Sequence, residues 1–410
     1  MKLAVCFTNF GPYHLARLRA LASALDTQGD RLIAYEVAGN ERRYPWLRSL
    51  ADEPFAWTTL FPARDLESLS ATDCRRAMTE ALDRDRPDAI GAVGYARPES
   101  MAMLAWARRG RRPAILLSES QEIDHPRTWW KEAIKRRRVS AFSAGLVGGP
   151  SHADYLVRLG LPRERIKLGY NAVDTDHFAA MADTARRSPD GRLGLPDRLY
   201  FIAVSRFVPE KNLVRLISAY ARYRATTKVE PWDLVLCGGG PGEADVQAAV
   251  VDCGLASSIH RPGFLQSDAL SRWLAQAAGF VHPSLMEPWG LVANEAAACN
   301  LPLLISDRAG CAETLVPDPP GTTGRRFEPR STTDIAEALD WLATLPEADR
   351  LAMGRRAREM VAQWGPDRFA RGMIEAVDLA MDRWPDQNGA LAKPVAPRSR
   401  IAFGIESETR

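Results

Sequence analysis

Short apolar runs alternate with amphipathic stretches from the first residues of the chain. "KLAVCFT" precedes "YHLARLRALASAL", "DAIGAVG" precedes "ESMAMLAWARR", and "AILLS" and "AGLVGG" lead on to "HADYLVRL". This alternation predicts one parallel series of strands and helices, closed by "RIKLGYNAVDTDHF". A second series opens at "RLYFIAVSRF" and runs through "NLVRLISAYARYRA", "WDLVLCGGG", "EADVQAAVVDCG", "SIHRPGF", "ALSRWLAQA", "GFVHPS", "LVANEAAACN" and "LPLLIS". Two separate series predict an α/β protein of two doubly wound, Rossmann-like domains facing across a cleft.

The hinge is expected near Asn171–Asp174, which gives a first domain at 1–172 and a second at 173–364. The polar stretch "MADTARRSPDGRLGLPD" suits a surface segment just inside the second domain. Pro366 in "QWGPDRF" cannot continue a helical ladder, so a terminal helix at about 365–384 can turn back onto the first domain. Residues 385–410 lack periodicity and are expected to form a flexible tail.

Composition narrows the setting. With 410 residues, 46% of them apolar, the chain can fill the cores of two ordinary domains. The net charge of +3 is divided unevenly: residues 1–170 hold 27 Lys and Arg against 20 Asp and Glu, and the remainder 27 against 31. The first half is the basic one, which hints at an acidic partner or anionic surface there. The six cysteines form no C-x-x-C pair, as expected of free thiols in a reducing compartment. The apolar run at the start is about six residues, short of a signal segment, and no stretch approaches the ~20 apolar residues of a membrane span. A cytoplasmic protein is expected, with no nucleic-acid partner.

The candidate chemistry centres on "SLMEPWGLVANEAAACNLPLLISD", where Glu287 and Glu295 stand with seven residues between them. Glu287 falls in the loop after a strand and Glu295 in the first turns of the next helix. The amides of Gly290, Leu291 and Val292 at that helix start suit phosphate or developing negative charge. Carboxylates beside such a site suit the hydroxyls of a sugar or ribose. The spacing alone carries little weight, because two glutamates at that distance are common. In "VSRFVPEKNL", Arg206 and Lys211 lie in the loop leaving the first strand of the second series, where ligands bind in such folds. In "LCGGGPGEAD", Gly238 and Gly240 open a G-x-G-x-x-G that Glu243 breaks, leaving a turn that lets another group approach the backbone.

"SRFVPEKNL", "CGGGP", "HPSLMEPWGLVANEA" and "LPLLISDRAGCAETL" together resemble the donor-binding half of a family 4 glycosyltransferase of the two-Rossmann-domain (GT-B) type, over roughly residues 199–345. The first half is similar mainly in layout. The resemblance implies that Glu287 holds hydroxyls of the transferred sugar and Glu295 those of the ribose, while Arg206 and Lys211 neutralise the diphosphate. It further implies that the backbone from Trp289 through Gly290 and Leu291 to Val292 cradles sugar or phosphate, and that residues from Arg261 to Phe264 meet the base. Gly11, before Pro12, would approach the diphosphate from the first domain. Relatives commonly carry two adjacent glycines there, where this chain has Phe10 and Gly11. They also commonly carry a His at the end of the strand that here reads "AILLSESQEIDH", so either Glu119 substitutes or His125 folds back, with Glu119 favoured. "DTD" at 174–176 imitates a metal motif of another glycosyltransferase fold but falls in the interdomain segment, and no metal or cofactor is implied.

The expected function is transfer of a sugar, with retention of configuration, from a nucleotide-diphosphate sugar such as a UDP- or GDP-sugar to a glycan or lipid-linked acceptor in cell-surface polysaccharide assembly. The alternatives are a catalytically silent sugar-nucleotide binding protein and another GT-B enzyme such as an epimerase or a phosphorylase. Finally, "WWKEAIKRRRV" sets Trp129, Trp130, Ile134 and Val139 among Lys131, Lys135, Arg136, Arg137 and Arg138, the pattern either of a helix lying on an anionic membrane at the inner face of the cell or of a solvated helix whose tryptophans pack inward.

Overall fold

A computed structural model of the chain describes residues 1–41 and 52–382. The expected tail at 385–410 lies outside the described residues. Seven strands form the first sheet: β1 (Lys2–Phe7), β2 (Arg31–Asn40), β3 (Ala56–Asp65), β4 (Ala89–Val93), β5 (Ala114–Ser118), β6 (Ala144–Val147) and β7 (Ile166–Leu168). All its pairings are parallel, in the order β3-β2-β1-β4-β5-β6-β7. The second sheet is parallel throughout: β8 (Tyr200–Val204), β9 (Asp233–Cys237), β10 (Ile259–Gly263), β11 (Gly279–His282), β12 (Leu303–Ser306) and β13 (Gly324–Phe327). Its order is β10-β9-β8-β11-β12-β13.

In each sheet the direction of winding reverses once, between β1 and β4 and between β8 and β11. The loops that leave the carboxyl ends of strands at such a reversal diverge and open a crevice, the usual place for a ligand in an open α/β sheet. The two crevices belong to the segments after Phe7, Val204 and His282.

Helices cover both faces of each sheet. On the first, α1 (Pro12–Asp26) packs one face, and α2 (Ala71–Asp85), α3 (Pro98–Arg109), α4 (Trp129–Val139) and α5 (Pro150–Arg158) the other. On the second, α6 (Thr175–Arg187), α9 (Ser267–Gln276), α10 (Leu291–Ala298), α11 (Ala312–Leu315) and α13 (Glu347–Val361) pack one face. There α7 (Leu213–Thr226), α8 (Glu243–Asp252) and α12 (Thr332–Thr344) pack the opposite face. After α13, a 3-10 turn at Ala362–Trp364 and Gly365 intervene before α14 (Pro366–Met381), in which Pro366 takes the first helical position that its fixed φ favours. The apolar stripe of α14, with Phe369, Met373 and Val377, lies in the core cluster of α1 and β1, so this last helix returns to the first domain.

The chain crosses between domains twice, and the two crossings are tied where the Val173 amide donates to the Trp364 carbonyl at 3.2 Å. Buried Arg17 donates from Nε to the Ala172 carbonyl at 2.9 Å. Asp174 caps α6 by accepting from the His177 amide at 3.0 Å, a contact of about 1 kcal/mol for a helix N-cap. Among the described residues, no helix is long and apolar enough to cross a membrane.

Candidate active site

The loop leaving β8 carries Arg206 and, in a 3-10 turn at Pro209–Lys211, Lys211. Its shape is set by the glycine-rich turn after β9. A Cβ at Gly238 would lie 1.9 Å from the Ser205 carbonyl oxygen, and one at Gly240 2.9 Å from that of Phe207. The group that these glycines admit is therefore the chain's own loop around Arg206, and the Phe207 amide completes the contact by donating to the Gly239 carbonyl at 2.8 Å. Gly238 and Gly240 thereby have a structural reason to be glycine, one step removed from any ligand. Buried Asn212 then stitches this loop to the segments that leave β11 and β13, donating to the carbonyls of Pro283 at 3.0 Å and Pro329 at 2.7 Å.

The loop after β11 brings Glu287 beside Lys211 in a nearly buried ion pair. His282, at the end of β11, holds the same carboxylate oxygen at 2.9 Å. Burial opposes the charge on Glu287, but the His282 hydrogen bond and the Lys211 charge outweigh it and hold the pKa down to about 2. Glu287 is thus ionised and an acceptor at any physiological pH. Gly290, with φ of 102°, then turns the chain into α10 in a conformation that favours glycine, leaving the amides of Leu291 and Val292 without carbonyls of their own helix. Glu295, in the second turn of α10, is buried and accepts a bond from the Tyr13 hydroxyl of the first domain, while its Oε2 has no partner in the protein. Burial pushes its pKa up to about 7 against the Tyr13 bond. The two glutamates therefore have opposite electrostatics: one is locked as a carboxylate and one is poised near neutrality.

The first domain meets this loop with its own crevice. Gly11 caps α1, and its neighbour Phe10 is fixed by donating its backbone N–H to the carboxylate of buried Glu36 at 2.7 Å. Glu119 follows β5 and opens to solvent in the cleft. Crowding by the walls raises its pKa, Arg17 opposes that shift, and the negative charges of Glu287 and Asp124 add to it. Glu119 thus lies within the electrostatic reach of Glu287 and Lys211, while His125 is exposed at the end of a 3-10 turn beside Asp124.

Three residues that sequence reasoning did not single out join the domains at the donor-side loop. Gln121 donates from Nε2 to the carbonyls of Glu287 at 3.1 Å and Pro288 at 3.3 Å, with its own oxygen accepting from Ser151. Fully buried His152 lies 2.7 Å from the Pro288 carbonyl through Nε2. The Gly149 amide donates to its Nδ1 at 3.2 Å, so the proton is assigned to Nε2, and burial keeps the ring neutral with a pKa of about 4. Arg308 reaches from the second domain to the Ile123 carbonyl at 3.0 Å. Between these contacts sits Trp289, buried against Trp364 at 5.0 Å and close to Gly148 and Gly149, where a Cβ would stand 3.0 Å from its ring. Truncating so buried a tryptophan costs about 3–5 kcal/mol. Tyr13, Gln121 and His152 carry no motif, and only the fold brings them to the loop.

Arg261 and Phe264 lie apart from this group, at the outer strand of the second sheet. Arg261 pairs with Glu243 of α8 at 2.9 Å, while Phe264, just past β10, is exposed. A groove of about 650 Å³ lies on the hinge side, lined by residues such as Arg19, Asp174, Arg368 and Glu375. None of the candidate site residues lines it, and its charges are mixed in sign. Among the described residues, no cluster of three or more His, Cys, Asp or Glu is placed to hold a metal ion.

Residues 190–360 match the family described as glycosyl transferases group 1. The chain is 33% identical over 216 residues to the GDP-mannose-dependent alpha-(1-6)-phosphatidylinositol monomannoside mannosyltransferase of Mycobacterium tuberculosis, covering 50% of this chain and 53% of that protein. It is 28% identical over 265 residues to the D-inositol 3-phosphate glycosyltransferase of Paenarthrobacter aurescens, covering 64% of this chain and 63% of that one. The chain thus spans about half to two thirds of the length of these relatives. In fold, it resembles the sucrose-phosphate synthase of Thermosynechococcus elongatus with a TM-score of 0.71 at 18% identity, over 92% of this chain and 98% of that one. It likewise resembles Anabaena HepE in complex with UDP and glucose, with a TM-score of 0.69 at 17% identity, over 92% of this chain and 99% of that one. Most of the second domain thus matches the glycosyl transferases group 1 model, in a chain with the two-Rossmann-domain (GT-B) fold.

Proposed function

We propose that the chain is a glycosyltransferase that moves a hexose from a nucleotide-diphosphate sugar to a glycan or lipid-linked acceptor with retention of configuration, in the assembly of cell-surface polysaccharide or glycolipid. The observation that carries this reading is the meeting, at two facing crevices, of Lys211, Glu287, Glu295 and the start of α10 with Gly11, Tyr13 and Glu119. The diphosphate would lie against Arg206, Lys211 and the amides of Leu291 and Val292. Positive charge fixed there before reaction stabilises the negative charge that develops on the leaving oxygen as the glycosidic bond breaks. Glu287, held ionised by His282, would keep accepting from sugar hydroxyls after Lys211 turns to phosphate. Glu295 would accept from the ribose, and Phe264 would offer its exposed ring to the base. Glu119 would face the sugar from the acceptor side.

One relative is named for dependence on GDP-mannose and a phosphatidylinositol monomannoside, and HepE was solved with UDP and glucose. Those names support a hexosyl donor of the GDP or UDP series and an acceptor borne on lipid, which would bring the protein to the cytoplasmic face of a membrane. A thermal-shift screen against UDP-, GDP- and ADP-sugars tests the donor. A ligand at 100 times its dissociation constant stabilises by ~2.7 kcal/mol, and no stabilisation by any of them would remove the reading. Donor binding without sugar transfer or slow donor hydrolysis would instead identify a silent sugar-nucleotide binding protein.

A further inference from the structure

We infer that the exposed face of α4, with Ile123 just before it, docks on an anionic lipid bilayer and sets the mouth of the cleft against that surface. The proposal deepens the transferase reading by naming the surface that presents a lipid-borne acceptor, but its evidence and its test do not pass through sugar transfer. Trp129 is 84% exposed, Trp130 49%, Ile134 45% and Ile123 46%, an unusual concentration of large apolar groups in water. Val139 is fully buried and belongs to the core, so the apolar face is shorter than the sequence pattern suggested.

The charges on this helix are sorted by side. Its one acid, Glu132, turns inward, where Lys135 at 2.8 Å and the Tyr155 hydroxyl at 2.9 Å hold it. Lys131, Arg136 and Arg137 remain on the exposed side with the tryptophans, and Lys131 lies over the Trp130 ring at 5.3 Å. That outer face therefore presents aromatic rings and cations with no acid, the composition suited to the boundary between headgroups and acyl chains. The basic half of the molecule, +7 over residues 1–170, gives the same polarity at longer range.

Topology sets the orientation. The strands of the first sheet are parallel and α4 returns antiparallel to β5, so its first turn, with both tryptophans, stands at the carboxyl ends of the strands, where the cleft opens. The link to the site is rigid. Arg127 pins the segment by donating to the Glu122 carbonyl at 2.6 Å and the Tyr155 hydroxyl at 2.7 Å, and Gln121, two residues before Ile123, bonds the carbonyl of Glu287. Apolar insertion at Trp129 and Trp130 would thus hold the acceptor side of the cleft at the depth of lipid headgroups.

The test is flotation of the full-length protein with vesicles of phosphatidylglycerol and phosphatidylcholine, and with phosphatidylcholine alone. Binding to the anionic vesicles at low salt is expected, with loss at high salt. Neutralising Lys131, Arg136 and Arg137 to Gln should lower partitioning roughly a hundredfold, at about fivefold per cation near an anionic leaflet. Trp129→Ser with Trp130→Ser should lower it at least tenfold, with nucleoside diphosphate binding kept as the check on folding. Absence of binding by the natural protein, or undiminished binding by both variants, would overturn the proposal. So would a change of oligomeric state in the tryptophan variant by sedimentation, which would make this face a contact between copies. If vesicles bind but no donor is used, the transferase reading fails while this one stands.

Discussion

The two domains have nearly the same architecture and very different legibility. In the second, the groups that would act on the donor lie in two contiguous stretches, 204–213 and 284–295, each leaving a strand beside the point where the winding reverses. In the first, the groups that face them are single residues spread from Gly11 to His152, and several act through backbone or packing. A charged ligand shared by a family constrains side-chain identity at fixed spacing, whereas an acceptor that varies leaves only the scaffold in common. If that division is real, substitutions in the second domain should strike the chemistry, and those in the first should strike the placement of the loop that does it.

The largest effect is expected at the diphosphate. Replacing Lys211 or Arg206 with Ala should lower the transfer rate by roughly 10²–10³, the scale for losing one preorganised stabiliser of developing charge. Steady-state kinetics with the donor found by screening would measure it. Near-normal turnover in the double variant would mean that neither residue meets the departing phosphate. Lys211 pairs with Glu287, so Lys211→Ala also removes one of the two groups that hold that carboxylate ionised. His282 remains, at 2.9 Å.

The next effect separates the two glutamates. Glu287→Gln should reduce transfer about 10- to 100-fold, since a hydrogen bond to a charged group is worth about 1.5–3 kcal/mol, and should leave the affinity for bare nucleoside diphosphate nearly unchanged. Glu295→Gln should weaken nucleoside diphosphate and donor alike. Calorimetry showing both variants equally weak toward the bare nucleotide would mean that sugar and ribose are wrongly divided between them.

The comparison sharpens at His152, which bonds the Pro288 carbonyl of the donor-side loop and stands ring to ring with Trp289 at 5.7 Å. His152→Ala should lower the transfer rate about tenfold, a loss of about 1.4 kcal/mol, with little change in nucleoside diphosphate affinity. His152→Gln, whose amide can reach where Nε2 was, should recover most of that loss. A merely structural role predicts a lower melting temperature and no such recovery. Equal rates in the Ala and Gln variants would show that the bond to Pro288 positions nothing.

Much of this was readable in advance, and the reasons for the exceptions are physical. Long apolar runs such as "LYFIAV" and "PLLIS" announce buried parallel strands by composition alone. β3 does not: it is an edge strand, exposed or half-buried at every residue, with Pro62 inside it, so neither alternation nor a continuous apolar run marks it. Among the candidate site residues, Glu287 and Glu295 could be singled out because a turn and a helix start fall between them in sequence. Tyr13 lies 282 residues from the Glu295 that it bonds, and Gln121 lies 166 from Glu287. No local pattern encodes such pairs, which exist only once the domains face each other. At "CGGGPG" the close approach that the sequence predicts is made by the neighbouring loop around Arg206, which no local pattern names.

The smallest effect tests whether the cross-domain contact at Glu295 bears on the nucleotide. With its pKa at about 7, Glu295 is largely protonated at pH 6 and largely ionised at pH 8. A carboxylate accepts from ribose hydroxyls more strongly than a neutral carboxyl, so nucleoside diphosphate affinity should rise about three- to fivefold over that interval. The nucleotide's own phosphate also titrates there, so Glu295→Gln serves as the reference, and only the part of the slope that it abolishes belongs to Glu295. Linkage fixes a second sign. Because the folded pKa lies above the ordinary carboxylate value of about 4.3, the folded state keeps a proton that the unfolded chain loses, and this group's share of stability falls as pH rises from about 4 to 7. Tyr13→Phe removes the hydroxyl that opposes the upward shift, so it should move the affinity transition to higher pH. A transition that stays in place in Tyr13→Phe, or an affinity slope identical in Glu295→Gln, would separate this buried carboxyl from the nucleotide and leave the contact with Tyr13 as packing between the domains.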